Sequence, residues 1–86
     1  MIYEAETLDV ECHTNGRQTF ISKQKAKKHL KKYAKNFKGT GEDLMLGILW
    51  GGDDAMECHD RLVKKSNGDL EWIGTEVIWQ PVGVIE

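Results

Sequence analysis

The sequence predicts an α+β two-layer sandwich: an antiparallel sheet of four to five strands with one amphipathic helix on one face, in the order ββαβββ. Three observations carry this. Residues 23–38 repeat their apolar positions at helical spacing, residues 44–50 are apolar on both faces of an extended chain, and Asn-Gly dipeptides at 15–16 and 67–68 mark tight turns. The 86 residues make one domain, 1–86. A domain of this size buries only about 60–65% of the surface that its unfolded chain exposes, so its core must be closely packed.

The first element reads as a strand with Leu8, Val10 and Cys12 on one face and Asp9, Glu11 and His13 on the other. The alternation slips between Tyr3 and Leu8, which predicts a bulge or a late strand start. Asn15-Gly16 suits a two-residue hairpin turn with positive φ angles, and Gln18 to Ile21 forms the return strand. Ser22 then fits an N-cap, because its hydroxyl can accept from an unpaired amide of the first turn. From Lys23 to Lys38, Ala26, Leu30, Tyr33, Ala34 and Phe37 fall within about 100° of one another on a helical projection. Gly39 closes the helix in a left-handed conformation, giving a length of about 24 Å.

Leu44 to Trp50 reads as a central strand covered on both sides, followed by the turn Gly51-Gly52-Asp53-Asp54. Ala55 to Lys65 and Leu70 to Trp79 form a second hairpin about Ser66-Asn67-Gly68-Asp69, with a bulge at Gly74. Pro81 ends that ladder or lies at an edge, and Val82 to Ile85 adds a last short strand. Trp50 and Trp79 are expected in the core, whereas Trp72, between Glu71 and Ile73, is a candidate to face outward.

The formal net charge is only −2, which excludes a histone-like basic chain, but this average hides a partition. Residues 1–15 carry four acids and no base, residues 16–40 carry nine bases and no acid, and residues 41–60 carry six acids and no base. On the helix, Lys25, Lys27, Lys28, Lys31, Lys32, Lys35 and Lys38 occupy an arc of about 160° opposite the apolar stripe. Eight like-charged pairs at i,i+3 and i,i+4 cost the helix on the order of 2–4 kcal/mol before screening. Lys23 and Lys25 also oppose the positive end of the helix dipole. A helix needed only for solubility would interleave the two signs.

This face is therefore the candidate binding site. It has two broad alternatives: it is solvated or neutralised by acidic strands of the same molecule, or it meets a polyanion. The polyanion is nucleic acid or the acidic surface of a protein. Lysines along a helix meet backbone phosphates and read little sequence, and Arg, the better base reader, is scarce here. No aromatic side chain interleaves the lysines on that arc. The runner-up function is a protein–protein interaction or inhibitor module, including a homodimer formed through a strand edge or the tryptophan-bearing sheet.

Other constellations are weaker. Glu11-Cys12-His13 and Glu57-Cys58-His59 repeat one triplet, and two Cys with two His suggest zinc. Adjacent strand residues point to opposite faces, however, so the expectation is two core cysteines with both histidines outward, and neither a metal nor a disulfide. His29 is expected at the edge of the core. Gly51-Gly52-Asp53-Asp54 resembles the paired-acid turn of polymerase and nucleotide-cyclase palms over four residues only, and it is equally ordinary turn chemistry.

No nucleophile–base pattern and no phosphate loop is present. The reading is a small non-enzymatic binding protein without a cofactor. No membrane-spanning run and no basic N-terminal leader is visible, which predicts a cytoplasmic location. Small accessory and inhibitor proteins of phages and mobile elements share this profile of size and charge, an analogy that rests on no motif.

Overall fold

The computed structural model describes residues 1–38 and 41–75. It contains β1 (Tyr3–Leu8), β2 (Thr14–Phe20), α1 (Lys23–Asn36), β3 (Leu44–Gly51), β4 (Glu57–Lys64) and β5 (Leu70–Trp72). The strands form one antiparallel sheet in the order β2-β1-β3-β4-β5. This is the predicted α+β arrangement, with α1 on one face of a five-stranded sheet and β3 at its centre. The predicted roles of Gly39, Trp79, Pro81 and the strand Val82 to Ile85 lie outside the described residues.

The core lies between helix and sheet. Ala26, Leu30 and Ala34 of α1 pack against Ala5, Leu46, Leu49 and Leu62, all completely buried. Small residues on the helix side let the two layers approach closely. Gly47 shows how closely: a Cβ there would stand 3.0 Å from Leu30 Cδ2. Leu46 and Leu49 both reach the core despite odd spacing because the β3–β4 register shifts between Met45 and Gly47. One bulge therefore turns an apolar run into two helix-facing leucines. Ser22 caps α1 as expected, its Oγ accepting from the Lys25 N–H at 3.3 Å. The helix ends at Asn36, earlier than predicted, because Phe37 takes an extended conformation with φ −73° and ψ 128°.

The first hairpin differs from the sequence reading. Its strands are joined by residues 9–13, and Asn15-Gly16 lies inside β2. The turn is built by Asp9, whose Oδ1 accepts from the N–H groups of Glu11 and His13, each at 2.9 Å. Cys12 takes φ 61° there, and its N–H reaches Asp9 O. Gly16 serves a different need: it pairs with Thr7, whose Oγ1 would lie 3.0 Å from a Cβ at that position. The anticipated irregularity is the register shift between Thr7 and Leu8. Asp9→Ala removes the oxygen that accepts both bonds and is expected to cost about 1 kcal/mol. A drop in melting temperature of roughly 4–8 °C would register it, and Asp9→Asn, which keeps an acceptor oxygen, should recover most of the loss.

The second hairpin follows the prediction more closely. Lys65 and Asp69 close the turn by an N–H to carbonyl bond of 2.7 Å, with Gly68 at φ 95°. The strand before it starts at Glu57, because Ala55 belongs to the preceding turn with φ 52°. The strand after it stops at Trp72. Gly74 then takes φ 71° and donates its N–H to Asp60 Oδ1 at 2.8 Å.

Candidate functional site

The helix stands on the sheet so that its two flanks meet different surroundings. Toward β4 and β5, Lys27 Nζ lies 3.1 Å from Asp60 Oδ2 and 4.6 Å from the centre of the Trp72 ring. Lys27 is half-buried by these contacts. Its place on the helical projection, next to the Ala34 edge of the apolar stripe, accounts for that engagement.

The other predicted lysines are arranged differently. Lys25, Lys28, Lys31, Lys32, Lys35 and Lys38 are exposed, as is Lys23. Among the described residues, the ion pairs of lysines are Lys27–Asp60, Lys65–Asp43 and Lys65–Glu71. Among the described residues, only one of the helix lysines, Lys27, is thus held by an acid. Lys38 lies beyond the last helical residue, so the helical projection does not fix its direction; it stands beside Lys32 in a surface groove. The acids engage elsewhere. Glu4 pairs with Arg17 at 2.9 Å, and Asp43, whose carboxyl is held below the ordinary value by the Ser66 N–H and Lys65, secures the second hairpin.

The face opposite the helix carries a polar network. Trp50, expected in the core, is half-buried there and donates its indole N–H to Glu6 Oε1 at 2.6 Å. Thr14 Oγ1 also donates to Glu6. The Arg17 guanidinium covers the Trp50 ring at 5.2 Å and donates to Ala55 O at 3.1 Å. Each described tryptophan is therefore covered by a cation of this chain, Trp50 by Arg17 and Trp72 by Lys27. Trp72 is half-buried on the helix side, not turned outward.

The two Glu-Cys-His triplets do not meet. Trp50 pairs with both Glu4 and Cys58, which sets Cys58 level with the beginning of β1. Cys12 lies past the other end of that strand, in the turn after Leu8. Cys12 is exposed and Cys58 half-buried, both as free thiols, so neither is the core residue expected. The reason is local: the first strand ends before Cys12, and the register shift between Leu49 and Trp50 disturbs β4 around Cys58. His13 is exposed, as expected, but His59 turns inward and stacks edge-on with Tyr3 at 5.7 Å. Its ring lies over Gly51, where a Cβ would come within 2.7 Å of Nε2.

At the acidic turn, Gly51, Gly52 (φ 100°), Asp53, Asp54, Met56 and Glu57 line a small depression of about 170 Å³. Among the described residues, no group of three or more His, Cys, Asp or Glu is placed to hold a metal ion. No described helix is long and apolar enough to cross a membrane.

One feature escaped the sequence reading. Along the flank of α1 away from Asp60, His29, Lys32, Tyr33, Asn36, Phe37 and Lys38 line a groove of about 490 Å³. His29 sits at the edge of the core as predicted, its ring 5.4 Å from Phe20. Tyr33 and Phe37 contribute to the core with one side and to the groove with the other. Burial raises the Tyr33 phenol above its ordinary value of 10.0, helped by the charge of Asp9 and opposed by the Asn15 hydrogen bond. No family model matches the chain, and no curated protein or solved structure is similar to it.

Proposed function

We propose that this protein is a non-enzymatic polyanion-binding protein that takes nucleic acid on the lysine face of α1, with little sequence reading. The observation that carries the reading is the state of Lys25, Lys28, Lys31, Lys32, Lys35 and Lys38. All six are exposed, and among the described residues none is ion-paired with an acid. A helix of 14 residues is about 21 Å long, so these ammonium groups can meet several consecutive phosphates. Their mutual repulsion disfavours the free helix and is relieved when an anionic lattice lies across it. A cytoplasmic location and a role like that of a phage accessory protein, the latter suggested by size and charge, belong to this proposal.

The test is fluorescence anisotropy of labelled single- and double-stranded oligonucleotides with the wild-type chain and with a Lys28→Glu, Lys31→Glu, Lys35→Glu triple variant. Binding should weaken steeply between about 50 and about 200 mM salt and should vanish in the triple variant. Binding that the triple variant retains would sink the proposal, as would none at low salt.

A protein partner is the second reading. One observation favours it: β2 lies at a sheet edge, and most of its side chains are exposed. Such an edge can add a strand from a second copy. Light scattering at moderate salt decides this reading, with a stable dimer supporting it and a monomer at all accessible concentrations opposing it.

A further inference from the structure

We infer that the groove beside α1 holds unstacked nucleobases, so that the nucleic acid bound is single-stranded. The inference rests on the polyanion reading above and adds the form of the ligand.

The argument starts from the groove wall. His29, Tyr33 and Phe37 recur at i, i+4 and i+8, which puts three ring systems in a row along one helix flank. Each is half-buried, packed on one side and open on the other. The Tyr33 and Phe37 rings are 5.7 Å apart and inclined at 50°. Successive bases of a flexible strand stack on such platforms whatever their identity, because every base has a π face. The groove, at about 490 Å³, lies within the range of about 300–1,000 Å³ typical of small-molecule clefts.

The rings are held in place. Tyr33 donates its hydroxyl to Leu8 O at 2.8 Å and accepts from Asn15 Nδ2 at 3.0 Å. Lys64 Nζ donates to Phe37 O at 2.7 Å, which fixes the residue just past the helix end. A platform fixed before binding loses little freedom on binding.

The rim has the matching charge. Lys32 and Lys38 line the groove, and Lys25 and Lys28 are exposed on the adjoining arc of the helix. The acid whose charge reaches Tyr33 is Asp9, and its Oδ1 is occupied by two backbone N–H groups. Asn36 adds an amide able to donate and accept at a base edge. A duplex offers phosphates to the lysines but keeps its bases stacked inside, so it leaves the ring wall unused. A poly-acidic peptide likewise has nothing to stack. The described tryptophans, Trp50 and Trp72, offer no rival platform, since Arg17 and Lys27 already cover them.

The experiment compares four labelled probes of equal charge: an oligothymidylate, an abasic deoxyribose-phosphate oligomer, a short duplex and a polyglutamate. The oligothymidylate is expected to bind about tenfold or more tighter than the abasic oligomer. Phe37→Leu keeps apolar volume but removes the ring. Together with His29→Ala it should remove most of that preference, while the salt-sensitive binding of the abasic oligomer, which depends on the lysines, persists; thermal melting confirms that both variants fold. Equal, salt-sensitive affinity for the oligothymidylate and the abasic oligomer overturns this inference and leaves the polyanion reading standing. Tighter binding of the duplex or of polyglutamate overturns it as well. Binding of none of the probes overturns the polyanion reading itself.

Discussion

Lys31→Glu is expected to make the protein more stable and to weaken its binding to nucleic acid. Lys31 is exposed, with Lys27 and Lys35 one helical turn away on either side and Lys28 three residues before it. The wild-type residue repels all three, whereas a glutamate attracts them. Each pair changes sign at about 0.2–0.5 kcal/mol, so the variant gains on the order of 1 kcal/mol after screening. For a domain of this length that is a rise in melting temperature of roughly 4–8 °C, measurable by circular dichroism at low salt. Affinity for an oligonucleotide should fall about tenfold, because an attraction to phosphate becomes a repulsion. A helix face that is merely solvated would show the first effect with no binding to lose. Opposite movement of the two quantities marks a face retained for a partner at the expense of stability.

The second large effect concerns the contact between the layers. Leu30→Ala is expected to destabilise the protein by about 2–5 kcal/mol, since Leu30 is completely buried at the centre of the core. Gly47→Ala should cost about 1–3 kcal/mol by overpacking. Its new methyl group would meet Leu30 Cδ2 at 3.0 Å and Leu30 Cβ at 3.4 Å. The two changes should not add. Leu30→Ala removes the atom that the methyl group strikes, so the double variant should be more stable than the sum by about 1 kcal/mol or more. Denaturant unfolding of the four proteins measures this coupling. Simple additivity would mean that Gly47 is required for some reason other than the approach of α1.

Much of the fold is legible in the sequence because its signals are local. The helix follows from the recurrence of Ala26, Leu30 and Ala34 and from the hydroxyl of Ser22. The central place of β3 follows from a run apolar on both faces, and the second turn from Asn67-Gly68. The first hairpin misleads because two segments have valid turn chemistry. Asp9 provides a side-chain acceptor for two N–H groups, Asn15-Gly16 provides positive-φ residues, and only the pairing of Gly16 under Thr7 decides between them. Cys12 and Cys58 go astray with it, since their expected burial presumes strand alternation through the turn and through a shifted register.

The lysine face is legible as composition, but the scarcity of acid partners for it among the described residues is not. Whether Asp60 or Glu4 reaches the helix depends on strand order and on which sheet face each occupies. Among the described acids, Asp60 alone pairs with a helix lysine, Lys27, and Glu4 turns to Arg17 on the other face. The groove is hidden for a related reason. Tyr33 and Phe37 fit the apolar stripe, and periodicity does not say that a side chain at the edge of a stripe is only half covered. The spacing of His29, Tyr33 and Phe37 at intervals of four residues is the signal that a search for aromatic ladders would have found.

The most direct test of the account is the salt dependence of oligothymidylate binding, measured for the wild-type chain and for the Lys28→Glu, Lys31→Glu, Lys35→Glu triple variant. If four to six phosphates meet the lysine face, the plot of log K against log salt has a slope of roughly −3 to −4 for a single strand. The triple variant should lose most of that slope together with its affinity. A slope near zero, or one that the three substitutions leave unchanged, contradicts the claim that this helix face is a polyanion-binding surface.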